Sequence, residues 1–264
     1  MNVMSGRQPL PAAAHGIDPA EWEARVDLAA CYRLVARFGM DDLVYNHISM
    51  RVPGHDDQFL INPYGLMYDE ITASNLVKID TGGGKIDNSP YDVNQAGFVI
   101  HAAIHKGRHD AACVLHTHSD AALAVSAQEH GLLPLSQFAM QFYRRQAFHD
   151  YEGVALDLDE QSRLVHDLGP HRVMVMRNHG LLTVGRTPGE AFMLQYYFER
   201  AARVQLTMQA AAAGGAGIVV PAPEVCEKAA RQLTEQEGDI LAAGEREWPA
   251  LLRQLDRSDP SFRN

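Results

Sequence analysis

Positive charge is the first thing this chain lacks: 23 Lys and Arg stand against 33 Asp and Glu, a net −10 with histidine neutral. That balance leaves no basic surface for nucleic acid or for an acidic lipid face, so the expected partner is a small molecule. Cysteine is also sparse. Cys31, Cys113 and Cys226 have neither paired nor C-x-x-C spacing, which excludes a disulfide framework and fits a reducing cytoplasm. Long apolar runs are missing too. No stretch approaches the ~18 residues of a membrane span, and the first 20 residues carry no continuous apolar core after Arg7, so neither a signal peptide nor a membrane anchor is expected. A phosphate loop is absent as well, because Gly82-Gly83-Gly84 has neither a helix after it nor the Lys-Ser/Thr pair. No internal repeat is visible.

What is present is enough apolar content, 46% of 264 residues, to build one large α/β domain or two small ones. Residues 1–18, with Pro9, Pro11 and a run of alanines, read as a flexible arm. Asp18-Pro19 opens an amphipathic helix that runs from about Trp22 to Phe38 and ends at Gly39. Tyr45–Arg51, Phe59–Asn62 and Leu76–Asp80 then alternate or cluster as strands and predict an antiparallel meander over the first hundred residues. A helix follows from Asn94 to about Lys106, then a buried strand at Cys113–Leu115 and a short helix at Asp120–Gln128. Asp157 to His166 reads as a helix with Asp157 and Glu160 at capping-box spacing. The last organised unit is a strand at Arg172–Met176, a loop, a strand at Leu181–Val184 and a long helix at Pro188–Ala213. That helix is apolar on both sides of its axis, as expected of one buried within an oligomer as well as on its own sheet. One or two helices complete a tail over 214–264, expected to pack on the same domain or on a neighbouring subunit.

The chemistry concentrates in Cys113-Val-Leu-His116-Thr-His118-Ser119. Strand side chains alternate faces, so His116 and His118 project from one side at the end of the strand. His179, in Arg177-Asn-His-Gly, follows the next apolar strand. Three neutral imidazoles at adjacent strand ends would hold one divalent transition metal and leave coordination positions open, the arrangement of a catalytic site. An H-x-H pair also arises readily by chance among 13 histidines. A rival cluster is His101, His105 and His109 on the helix after Asn94. Its i, i+4 spacing puts two on one face, but Gly107 ends the helix before the third, and the plainer expectation is one histidine under the sheet with the others solvated.

The order Asn46-x-x-Ser49-x-Arg51, then Ile61-Asn-Pro-x-Gly65, then Val-Leu-His-Thr-His-Ser, then Arg-Asn-His-Gly-Leu-Leu-Thr-Val-Gly resembles the class II aldolase/adducin family over about residues 20–213. The resemblance implies a three-layer αβα domain over 19–213 with a mostly antiparallel central sheet. It also implies a homotetramer with its metal sites at subunit boundaries, and zinc, manganese or a related ion such as iron or cobalt at His116, His118 and His179. Members include sugar-phosphate aldolases, an epimerase, a dehydratase and decarboxylases, while adducin keeps the fold for a structural role.

Departures from the aldolase pattern narrow the chemistry. Aligned on His101, the family's Ser-Ser-Glu segment falls on Gln95, Ala96 and Gly97, so the acid/base carboxylate is missing. The family's Thr-Gly phosphate contact becomes Tyr64-Gly65. Two phosphate-cradling elements are altered, which predicts a substrate without phosphate, bound by residues such as Asn46, Tyr64, Gly65 and Gln95. The segment Asn94–His101 and the later His149-Asp150-Tyr151-Glu152-Gly153 look like the adducin branch. A metal chelating a hydroxyl and a neighbouring carbonyl stabilises an enolate as its charge develops. Decarboxylation then needs no base to start, whereas aldol cleavage does. The expected activity is therefore a carbon–carbon lyase on a non-phosphorylated hydroxy or oxo acid. Tyr151, Tyr143, His149 and Tyr64 are the acid/base candidates, and Arg144 and Arg145 would pair with a substrate carboxylate. The alternatives are a non-haem iron oxygenase on the same three histidines and an adducin-like interaction module.

Overall fold

The computed structural model describes residues 16–155, 157–234 and 243–264. Most of the expected arm, residues 1–15, lies outside them, as does the stretch 235–242 within the tail. Asp18 caps the first helix, α1 (Pro19–Arg37), by accepting from the backbone amides of Ala20 and Glu21, with Pro19 at the first helical position.

Among the described residues seven strands form one sheet: β1 (His47–Arg51), β2 (Gln58–Ile61), β3 (Val77–Asp80), β4 (Cys113–Thr117), β5 (Gln146–His149), β6 (Val173–Met176) and β7 (Gly180–Gly185), in the order β3-β2-β1-β4-β7-β6-β5. The first three are the expected meander. Every pairing is antiparallel except β5 with β6. Sequence pattern misses β5, because Gln146-Ala-Phe-His149 is short and shares its polar flanks with the loops around it. Tyr45 and Asn46 also fall just outside β1.

Both faces of the sheet are covered, so its central strands bury alternate residues in different cores. Val173 and Val175 face α3 (Asp120–Ser126), α4 (Gln137–Met140) and α6 (Pro188–Ala213), while Met174 and Met176 face α2 (Gln95–Gly107) and α5 (Glu160–Leu168). On the α6 side, α1 and α8 (Glu247–Ser258) pack on Ile48, Leu60 and Leu115, with Trp248 against Phe192 and Phe262 wholly buried. The result is a three-layer αβα architecture with a mostly antiparallel sheet, as the sequence led us to expect. In the tail, α7 (Pro223–Thr234) rests near α4, where Arg145 pairs with Glu227 at 2.9 Å. Among the described residues no helix is long and apolar enough to cross a membrane.

One local expectation fails. The capping box at Asp157 does not form: α5 starts at Glu160, its N-cap Asp159 makes no side-chain cap, and the Glu160 carboxylate turns to His149 at 3.2 Å. A buried imidazole outcompetes the helix amides for that carboxylate.

Candidate metal centre

His116 is the penultimate residue of β4, and its neighbours divide the work of the His-Thr-His-Ser segment. His116 and His118 project to one side, while Thr117 and Ser119 are gripped by α6. The Gln195 amide donates to Thr117 Oγ1 at 2.6 Å, and Ser119 donates to Glu199 Oε2 at 2.7 Å. Gln195 and Glu199 are one helical turn apart, so a single face of α6 fixes the segment. Sequence reading missed both, since they sit inside a helix whose apolar pattern masks them.

His179 arrives by a tight turn between β6 and β7. Asn178 has φ +55°, which its short polar side chain tolerates, and Gly180 has φ +151°. A Cβ on Gly180 would stand 2.4 Å from the Thr117 carbonyl oxygen, so only glycine lets this turn close on β4. The three rings then face one another, with centroids 4.7, 4.8 and 5.0 Å apart, and their ligand nitrogens all lie within 4.8 Å.

The hydrogen bonds fix which nitrogens are free. Nδ1 of His116 donates to the Leu181 carbonyl at 3.0 Å, and Nδ1 of His118 donates to Asp42 Oδ2 at 2.9 Å. Both Nε2 atoms therefore carry lone pairs, and they point at each other across 2.9 Å. Two lone pairs so close repel unless a cation lies between them, and a carbonyl and a carboxylate behind the rings are the outer partners that metal-binding histidines use. Burial, followed by the neighbouring imidazoles, holds His116 well below its ordinary pKa and His179 at about 4, which keeps both rings neutral and available as donors. The residues fit a divalent transition ion.

The centre opens into a cavity of about 460 Å³. Tyr64 and Tyr151 line it, both substantially exposed, with the Tyr151 ring 6.2 Å from that of His179. Gly65 makes the adjoining turn at φ +95°. Asn46 is fully buried beside β1 with neither side-chain polar atom partnered.

Other expected residues go elsewhere. Both nitrogens of the buried His149 are held by carboxylates, Nδ1 to Asp167 at 2.8 Å and Nε2 to Glu160 at 3.2 Å, so it ties β5 to α5 and has no nitrogen for a substrate. Gln95 is exposed and lines a separate cavity of about 620 Å³ with Lys85 and Phe98; the site-facing positions of that helix start are Asn94 and Ala96. Tyr143, Arg144 and Arg145 precede β5, whereas the three histidines sit where β5 and its parallel neighbour β6 end, so within one chain they lie across the length of the sheet from the centre. Arg144 stacks over Tyr143, 5.3 Å from the ring centroid, and Arg145 is engaged with Glu227. The rival helical cluster resolves as well: His101 and His105 are both buried, more than the one expected, while His109 is exposed beyond the helix.

The family described as the class II aldolase and adducin N-terminal domain matches residues 26–206. A Pseudomonas aeruginosa protein named for class 2 aldolases is 46% identical over 98% of this chain and 100% of its own length. Alpha-adducin of Rattus norvegicus is 40% identical over 90% of this chain, which spans 34% of that longer protein. Among solved structures, an aldolase II superfamily protein from Pseudomonas syringae superposes with a TM-score of 0.89 at 46% identity, covering 96% of this chain and 100% of that one. An L-fuculose 1-phosphate aldolase from Glaciozyma antarctica superposes with a TM-score of 0.80 at 25% identity, covering 98% of each chain. This chain belongs to the class II aldolase and adducin family.

Proposed function

We propose that the chain is a divalent-metal-dependent carbon–carbon lyase, a decarboxylase or retro-aldolase, acting on a non-phosphorylated hydroxy or oxo acid. The observation that carries this reading is the facing pair of Nε2 lone pairs on His116 and His118, each braced from behind, with His179 closing the set over an open cavity. When bound, the ion draws electrons from a chelated carbonyl. The chain's own groups do the rest. Leu181 and Asp42 orient the ligand rings, α6 fixes the strand end through Gln195 and Glu199, and Tyr151 and Tyr64 offer phenol hydroxyls at the cavity mouth. We assign proton delivery to Tyr151, whose ring stands beside His179. Tyr143, Arg144 and Arg145 enter this reading only across the subunit boundary of a homotetramer, which the half-exposed aromatic strip of Phe138 with Tyr196 and Tyr197 of α6 supports. Zinc or manganese is the proposed ion.

The similarity to alpha-adducin favours a second reading, a non-catalytic interaction module. Elemental analysis of the purified protein beside its His116→Ala variant separates the two. One zinc or manganese per chain, lost in the variant, supports the lyase. Iron accompanied by oxygen uptake supports an oxygenase instead, and a protein that takes up no metal supports the module. Efficient cleavage of a phosphorylated ketose would overturn the phosphate-free substrate.

A further inference from the structure

Gly97, His101 and His105 recur every fourth residue along α2 and turn one face of that helix toward β1. A Cβ on Gly97 would fall 2.5 Å from Cδ2 and 2.7 Å from Cγ of His47, so the His47 imidazole fills the space that any larger residue at position 97 would need. His47 opens the strand β1 and sits opposite His116 in the β1–β4 register. Its ring lies nearly parallel to that of His116, tilted by 19° with centroids 6.1 Å apart. The side chain is 97% buried, borders the cavity beside His118 and His179, and neither ring nitrogen has a hydrogen-bond partner in the protein. Buried imidazoles are ordinarily satisfied, as His149 is at both nitrogens. Two unsatisfied nitrogens at a cavity wall are available to whatever the cavity binds.

We propose that His47 stands in, across the gap left by Gly97, for the carboxylate that the family resemblance places at position 97, and that it hydrogen-bonds an oxygen of a small α-hydroxy or α-oxo acid anion bound at the metal centre. The choice of ligand class follows from the exchange. A carboxylate offers acceptors only and repels an anion, whereas a neutral imidazole offers one donor and one acceptor and carries no charge against an acid substrate. This inference rests on the lyase reading of the site, and its test has separate arms. The plain alternative is that His47 merely fills space over Gly97, and a leucine would then do as well.

The test uses the full chain loaded with zinc and titrated calorimetrically with glycolate and with pyruvate. Wild type, His47→Leu and His47→Gln should bind zinc within about two-fold of one another, since His47 is not among the three ligands. Anion affinity should fall by about ten-fold or more in His47→Leu and recover to within about three-fold of wild type in His47→Gln, which restores a donor and an acceptor. Equal anion affinity in wild type and His47→Leu, or no binding of either anion by the zinc-loaded wild type, overturns the proposal. The pairing with position 97 is read by melting. Gly97→Ala should lower Tm by about 5 °C in the wild type and by about 1 °C in a His47→Ala background. Equal losses in both backgrounds would show that the ring does not fill that space. Failure of the wild type to take up either zinc or manganese would sink the lyase reading by itself, and the melting comparison would still decide the pairing.

Discussion

His105 lies wholly buried against Phe59, with its Nε2 2.7 Å from the Ser49 hydroxyl, which also lies 2.5 Å from Nδ1 of His101. Burial, with Arg51 close by, holds His105 at about 3 against an ordinary value of 6.5. The unfolded chain takes up this proton near 6.5 and the folded chain only near 3. The unfolded state therefore binds more protons across that window, and stability is full above about 6.5 and drains away as pH falls towards 3. Each pH unit is worth about 1.4 kcal/mol for one group, so lowering pH from 7.5 to 5 should cost about 2 kcal/mol through His105 alone. His101, held well below its ordinary value by burial and by His105, acts with the same sign. The assay is urea unfolding of the metal-free protein and of His105→Gln at both pH values and one protein concentration. The metal-ligand histidines titrate in both proteins and cancel in the comparison. The wild type should lose about 2 kcal/mol more than the variant between pH 7.5 and 5. Equal losses would refute a neutral, buried His105.

Three further outcomes follow from the centre itself. Asp42→Ala should weaken zinc binding by about 10- to 100-fold by removing the acceptor of His118 Nδ1, while leaving the metal-free melt unchanged because the Asp42 side chain is already 42% exposed; unchanged zinc affinity would remove Asp42 from the outer shell. Gly180→Ala sets a Cβ on the Thr117 carbonyl oxygen in a left-handed backbone, so the His179 turn must open. Zinc should be lost on dialysis, and Tm should fall by about 5 °C or more; retained metal would contradict the close approach of this turn to β4. Tyr151→Phe should leave zinc content intact and reduce turnover of any acid found as substrate by about 100-fold, and undiminished turnover would transfer the proton role to Tyr64.

The parts of this fold that sequence exposes are those whose pattern is set by the backbone alone. Pro19 after Asp18, the antiparallel meander of β1 to β3 and the two-residue spacing of His116 and His118 each follow from local geometry and recur in the structure as expected. What escapes is set by partners far along the chain. His149 looks like a free imidazole in a polar loop until β5 pairs with β6 and α5 brings Glu160 and Asp167 to its two nitrogens. Arg144 and Arg145 look like a clamp beside their own chain's site until β5 is seen to run from them towards it, which sets them across the length of the sheet from that chain's centre. Asp42, Gln195 and Glu199 carry no motif. Each is chosen by where α1, α6 and the sheet converge, and nothing in the residues beside them marks that place.

The two histidine clusters show why spacing alone does not identify a metal site. His101 and His105, four apart on α2, share a face as closely as metal-binding helical pairs do, yet the residue opposite them is Ser49, whose hydroxyl lies between their rings. A hydroxyl has one proton to give and lone pairs to receive with, so it can accept from one imidazole and donate to the other, and the two nitrogens that face each other across it, His101 Nδ1 and His105 Nε2, are satisfied without an ion. His116 and His118 meet no such mediator. Their Nδ1 atoms are spent on Leu181 and Asp42, and their Nε2 atoms confront each other with no proton left to share. What distinguishes a cation site from a packed core is therefore the hydrogen count across the cluster, and it is the backbone carbonyl and carboxylate behind the rings, outside any motif, that set that count.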